Sequence, residues 1–317
     1  MDNKSPIAVL ITCPPMLNRI EEFRPIFSSK NIELVTPRVV QVLSEEELLE
    51  LVPNVDAWII GDDSATQEVF AAGKKGRLKC AVKWGVGVDN VDFEACKQLD
   101  IPIANTPGMF GGEVADLAMA YLLGLARHSY IIDKAVKKGE WIKPSAMSVA
   151  GKNVFVAGLG DIGRSVIKRL KGFDVNIYAY DPFADYTAGE IGAREILKFP
   201  EKLEEADFLV LCCALTASSR HMINAKSIAC MKTGIYLINV ARGGLVDEPA
   251  LAEGLRSGRI AAAALDVFEM EPLRMDSPLR AFDECIFGTH NGSNTAEAVR
   301  RASYRAIEIL FQFLNIS

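Results

Sequence analysis

The sequence predicts an α/β chain with two doubly wound parallel-sheet domains, and three observations carry that expectation. Short apolar runs alternate with longer amphipathic segments, the pattern of strands joined by crossover helices. The alternation comes in two blocks, the second starting near Gly151. In the second block the runs 154–157, 175–180, 208–213, 236–239 and 261–265 are almost continuously apolar, as strands covered on both faces require.

In the first block, runs 7–12, 57–60 and 80–84 read as buried strands. Segment 44–52 reads as a helix, with Ser44 and Glu47 at capping-box spacing. The texture changes near 105–115, where the turn signal Asn105-Thr106-Pro107-Gly108 is followed by Gly111-Gly112. One long helix is expected over 113–138, through Leu117, Tyr121, Leu122 and Leu125. Asp247 is expected to cap a helix that carries Pro249 in its first turn. A last helix is expected from Asn294, with Glu297 at capping-box spacing. No repeat or low-complexity linker separates the blocks.

Composition narrows the partners. The chain has 317 residues, half of them hydrophobic and 24% charged, enough for two cored domains. The net charge of −6 and the lack of a long basic run argue against nucleic acid or an anionic membrane as the main target. A local basic pocket can still receive an anionic substrate. The apolar run 7–11 is too short for a signal-peptide core, and no stretch approaches the roughly 18 apolar residues that span a bilayer. The seven cysteines are scattered and form no Cys-x-x-Cys pair. That usage suggests reduced thiols, no metal site and a cytoplasmic location.

The chemistry begins at Gly158-Leu159-Gly160-Asp161-Ile162-Gly163, directly after the run 152–157 and ahead of a helical pattern through Val166, Ile167 and Leu170. In such a loop the first glycine (Gly158) permits the tight turn and the second (Gly160) lets backbone approach a pyrophosphate. The third (Gly163) allows close packing of helix on strand. Amide N–H groups and the helix dipole favour the anionic diphosphate. Asp181 ends the next apolar run, where its carboxylate can accept from ribose hydroxyls and repel a 2′-phosphate; NAD is therefore expected over NADP.

Three further pieces suit one reaction. Asn239-Val240-Ala241-Arg242-Gly243-Gly244 follows a strand, where Arg242 can grip a carboxylate in two parallel charge-assisted bonds. Asp266-Val267-Phe268-Glu269-Met270-Glu271-Pro272 follows another strand. His290, one of three histidines, lies in the glycine-flanked loop Gly288-Thr289-His290-Asn291-Gly292-Ser293. A histidine oriented by a carboxylate can donate a proton near neutral pH, and with a dinucleotide as hydride source this kit reduces a 2-oxo acid. The residues alone do not choose between Glu269 and Glu271.

On these motifs, together with Lys83-Trp84-Gly85-Val86-Gly87-Val88-Asp89-Asn90 and Asn105-Thr106-Pro107, the chain resembles the D-isomer-specific 2-hydroxyacid dehydrogenases over nearly its whole length. The resemblance implies Arg242 on the substrate carboxylate and Glu271 paired with His290. It implies cofactor contacts at Val86, Gly158, Gly160, Asp161, Ile162, Gly163, Asp181, Cys213, Val240, Ala241, Asp266 and Gly292. Substrate contacts fall on Lys83, Trp84, Gly85 and Val86, with Lys83 either adding charge or simply solvated. The resemblance also implies a Rossmann-type NAD domain at 106–290, inserted into a flavodoxin-like substrate domain formed by 1–105 and 291–317. A homodimer through the nucleotide domain is expected, with segment 111–138 taking part. Ala214 stands where the family usually has proline. Residues 83–92 most resemble phosphoglycerate dehydrogenases, without their C-terminal regulatory domain. This makes 3-phosphoglycerate the first substrate expectation, with Arg19, Arg38 and Lys83 as phosphate candidates. Glyoxylate or hydroxypyruvate reduction is the alternative reading. A NAD-sensing corepressor-like protein is the reading from a different class.

Overall fold

A computed structural model describes residues 6–316. The chain divides into two compact units, one running to Met109 and resuming at Asn294, the other comprising Phe110–Ser293.

The discontinuous unit holds a parallel sheet of β1 (Ile7–Ile11), β2 (Ile32–Val35), β3 (Ala57–Ile60), β4 (Cys80–Lys83) and β5 (Ile103–Asn105), in the order β2-β1-β3-β4-β5. This is the flavodoxin-like order. Strands β3 and β4 are buried at every residue, which explains their unbroken apolar character. Successive side chains leave opposite faces. Leu10, Trp58, Ile60 and Ala81 meet Leu48, Val69 and Phe70 on one side. On the other, helix Ile20–Ser28 lies against β2 and helix Ala296–Phe313 against β3 and β4. Edge-on ring contacts of Phe23 with Tyr304 and Phe27 with Phe311 join those helices.

The continuous unit holds β6 (Asn153–Ala157), β7 (Asn176–Tyr180), β8 (Glu195–Leu197), β9 (Phe208–Leu211), β10 (Ile235–Asn239), β11 (Ile260–Leu265) and β12 (Ile286–Phe287). All pairs are parallel, in the order β12-β11-β10-β9-β6-β7-β8. Growth in both directions from β6 and β9 is the doubly wound, Rossmann-type arrangement, and its switch point lies between those two strands. One face packs on Ile228, Leu251 and Leu255, the other on helices Gly111–Arg127 and Asp161–Leu170.

Ser44 and Glu47 form the expected capping box, and Asp247 accepts from Ala250 N at 3.1 Å to cap helix Glu248–Arg256. Two helix expectations need correction. The pattern over 113–138 is two helices, Gly111–Arg127 and Ser129–Lys137, because His128 adopts a left-handed φ of 52° and its N–H turns back to Gly124 and Leu125. The last helix is capped by Thr295 rather than Asn294: its hydroxyl accepts from Ala298 N at 3.1 Å. Strands β2, β5, β8 and β12 are too short or too mixed to stand out in the sequence. All seven cysteines are free thiols. Among the described residues no helix is long and apolar enough to cross a membrane.

Asp56 ties the start of β3 to its surroundings. Buried, it accepts from Ala8 N at 2.9 Å and pairs with Arg77 and Lys79. Burial raises its pKa, but the amide and the two cations outweigh that and hold it below the usual carboxylate value. A depressed folded-state pKa contributes stability above the unfolded value and loses it as pH falls through the folded one. Asp56→Ala is expected to cost about 2 kcal/mol at neutral pH, the scale of an orphaned buried amide and lost charge-assisted bonds. Urea unfolding should show that difference shrinking on acidification below the unfolded carboxylate range.

Candidate active site

The parallel register brings six strand ends into one row. Tyr180, Ala157, Leu211, Asn239, Leu265 and Phe287 are paired neighbours across the sheet. All these strands leave the sheet on the same edge. Gly158, Asp181, Cys213, Val240, Arg242, Asp266 and His290 therefore follow the row within a few residues of each other along their own segments.

At the switch point the glycine loop is compact. Gly158 has φ +96°, and an added Cβ would lie 2.6 Å from Cys213 Cα. A Cβ on Gly163 would lie 1.8 Å from the Gly158 carbonyl oxygen, so only glycine lets the helix start this close to the strand. Gly160 is different. It caps helix Asp161–Leu170, and a Cβ there would meet nothing within 4 Å. Asp161 and Ile162 open the helix in partly buried positions, with the Asp161 carboxylate packed against Gly111. Asp181 accepts from Leu159 N at 2.7 Å and Phe183 N at 2.9 Å, which fixes its carboxylate beside the loop. Burial pushes the Cys213 thiol up to about 11, so it is a neutral group against Gly158. An open helix N-terminus flanked by an oriented carboxylate fits a dinucleotide.

The arginine loop is folded by Asn239, which is fully buried. Its Oδ1 accepts from Ala241 N at 3.1 Å and its Nδ2 donates to the Arg242 carbonyl at 2.8 Å. Val240 and Ala241 are buried, and Arg242 is partly exposed, its Nη1 donating to the Ala241 carbonyl at 2.9 Å. A Cβ on Gly243 would lie 1.8 Å from the Phe268 carbonyl carbon. The arginine loop and the loop carrying Glu271 thus touch backbone to backbone.

Glu271 Oε1 accepts from Phe268 N at 2.9 Å, and its Oε2 is 2.8 Å from His290 Nδ1. Glu269 turns elsewhere, to His221 Nε2 at 2.6 Å. Geometry thus chooses between the two glutamates. His290 has a left-handed φ of 55°, and its loop is held by Asp266. The Asp266 carbonyl accepts from His290 N at 2.6 Å. The carboxylate accepts from Asn291 N at 3.1 Å, Gly292 N at 2.8 Å and Tyr121 Oη at 3.3 Å. Burial, then the Asp266 charge, pushes the Tyr121 hydroxyl up, keeping it a neutral donor. Asp266 and Gly292, expected as cofactor contacts, here anchor the histidine loop.

The other unit changes the reading of β4. Lys83 is 2% exposed, and its ammonium donates to the Gly61 carbonyl at 2.5 Å and to Asp62 Oδ1 at 3.1 Å. It is neither solvated nor free of a counter-ion. Trp84 is also buried, its indole N–H donating to Ser303 Oγ at 3.1 Å, so that side chain joins the sheet to helix Ala296–Phe313. Gly85, at φ +131°, donates its N–H to Thr106 Oγ1 at 2.8 Å. Val86 and Val88 are exposed. Arg19 is paired with Glu22 at 2.8 Å, and Arg38 is exposed.

Sequence reasoning missed Tyr121 and His221. A phenol on an otherwise apolar helix face was the available signal for the first; nothing flags the second, which has no glycine neighbours.

The strand order and glycine cradle define a Rossmann-type, dinucleotide-binding architecture. Residues 119–292 match the family model described as D-isomer specific 2-hydroxyacid dehydrogenase, NAD binding domain. The chain belongs to that family and is an NAD-dependent 2-hydroxyacid dehydrogenase acting on a CH–OH group. It is 38% identical to a hydroxypyruvate reductase of Thermotoga maritima over 86% of this chain and 90% of that one. It is 39% identical to a D-3-phosphoglycerate dehydrogenase of Methanocaldococcus jannaschii over 82% of this chain, and spans about half the length of that relative. A glyoxylate reductase structure from Paecilomyes thermophila superposes with a TM-score of 0.81 at 28% identity, covering 96% of this chain and 94% of that one.

Gly163→Ala tests the cradle. The methyl group must push the helix off the Gly158 carbonyl, and NADH affinity is expected to fall at least about tenfold. Fluorescence titration reads this directly, and unchanged affinity contradicts the packing argument.

Proposed function

We propose that the protein reduces a small, unphosphorylated 2-oxo acid, hydroxypyruvate or glyoxylate, to the corresponding 2-hydroxy acid, the D-isomer where the product is chiral. The observation that carries the reaction is the pairing of Glu271 with His290: Asp266 anchors the histidine loop, and the loop carrying Glu271 touches the Arg242 loop backbone to backbone. Arg242 grips the substrate carboxylate. Glu271, itself oriented by Phe268 N–H, accepts from Nδ1 and leaves Nε2 to give its proton to the carbonyl oxygen as it becomes alkoxide. Bound NADH supplies the hydride. Gly158, Gly160, Asp161, Ile162 and Gly163 hold the diphosphate, Asp181 the ribose, and Cys213, Val240 and Ala241 line the same edge.

Two findings favour an unphosphorylated substrate over 3-phosphoglycerate. The ammonium at the end of β4 is neutralised by Asp62, and the exposed side chains of the loop that follows are Val86, Val88 and Asp89, none of them a cation. The relative matched over 90% of its own length is named a hydroxypyruvate reductase. We further propose a homodimer through the nucleotide-binding unit, where Tyr130, Val136 and Trp141 stand exposed, Trp141 at 82%.

NADH consumption with hydroxypyruvate, glyoxylate, pyruvate and 3-phosphohydroxypyruvate tests the substrate reading. Turnover is expected on the first two, and a preference for the phosphorylated acid overturns the assignment. His290→Ala should lower kcat at least about a thousandfold with NADH binding retained, the scale of losing a general acid. Near-normal turnover removes His290 from that role. Asp181→Ala should lower the NADH to NADPH ratio of kcat/KM at least about tenfold, since it removes the charge that repels a 2′-phosphate. An unchanged ratio contradicts the ribose assignment.

A further inference from the structure

His221 bridges the two loops that carry the reaction. Its backbone N–H donates to the Gly244 carbonyl at 2.9 Å, two positions after Arg242. Its Nε2 lies 2.6 Å from Glu269 Oε1, two positions before Glu271. Its own carbonyl accepts from Asn224 Nδ2 at 2.7 Å, and it holds a left-handed φ of 50°, a conformation few side-chain-bearing residues adopt unless their surroundings impose it. The far side of Glu269 is fixed as well. Glu269 N–H donates to Glu248 Oε1 at 2.8 Å, and Glu248 N–H, at the start of helix Glu248–Arg256, donates back to Glu269 Oε2 at 3.4 Å.

We propose that His221 is a positioning residue: through Glu269 it clamps the 266–272 loop and so sets the geometry and charge balance of Glu271 against His290. The proposal rests on the catalytic reading of Glu271 and His290 given above. Three carboxylates gather here, Glu248, Glu269 and Glu271. Burial, followed by the charges of the other two, pushes Glu248 above the usual carboxylate value. Facing them are the imidazoles of His221 and His290, with Arg242 on the touching loop and the Arg220 guanidinium beside Gly244. Removing His221 takes away the hydrogen-bond partner of the Glu269 carboxylate near His290 and frees the loop on one side. The added negative potential favours the His290 imidazolium.

The chain has three histidines, so imidazole resonances can be assigned by single His→Gln variants of the full chain. The titration midpoint of His290 is then read by NMR in the wild type, His221→Ala and Glu269→Gln, alongside kcat, KM and NADH affinity. His221→Ala is expected to raise the midpoint by about 0.5 pH units and Glu269→Gln to lower it by a similar amount, the scale of one partly screened charge. His221→Ala should lower kcat about fivefold with NADH affinity unchanged, and His221→Gln, which can still donate to Glu269, should recover most of it. A midpoint unmoved in both variants overturns the proposal. So does a loss of activity that follows NADH affinity alone. If the wild type turns over no 2-oxo acid, the functional reading fails while the midpoint shifts still decide the clamp. If His221→Ala does not fold, Glu269→Gln and His221→Gln carry the same test.

Discussion

The constraint on which the site depends is the common register of the seven-stranded sheet. Parallel pairing brings Tyr180, Ala157, Leu211, Asn239, Leu265 and Phe287 to one level, and every functional segment begins where a strand in that row ends. A shift of one residue in any strand would turn its side chains to the opposite face and move its loop along the edge. The near-continuous burial of the central strands prevents such slips by penalising any register that exposes apolar surface.

Loops alone are poor scaffolds, and this protein stiffens them with buried polar groups. Asn239 and Asp266 sit at strand ends, buried; Asn239 bonds the Ala241 N–H and the Arg242 carbonyl of the segment that follows it, and the Asp266 carboxylate accepts from two N–H groups of the histidine loop beyond β12. A buried carboxylate or amide left without partners is costly, so such a residue and its loop hold each other in place. Glycine does the complementary work. At positions 163 and 243 it removes the side chain that would separate backbones, bringing helix to strand and loop to loop.

Much of this was legible in the sequence. The apolar runs of β3, β4, β6, β7, β9, β10 and β11 and the caps at Ser44 and Asp247 followed from local rules, because burial on both faces and helix-end hydrogen bonds leave local signatures. Short edge elements such as β8 and β12 did not, since a two- or three-residue strand has no periodicity to read. The helix break at His128 was hidden for a related reason: a left-handed residue interrupts the backbone without interrupting the apolar pattern.

The sequence by itself determined the fold class, the dinucleotide loop and the residue types of the candidate site, because glycine spacing and strand-end position are properties of the chain. Tertiary structure decided which groups meet. It paired His290 with Glu271 and gave Glu269 to His221. It placed Lys83 against Asp62 inside the unit that holds β4, and buried Trp84 on Ser303. Those outcomes depend on distances between segments far apart in the chain, and hydrogen bonds and ion pairs act only at close range.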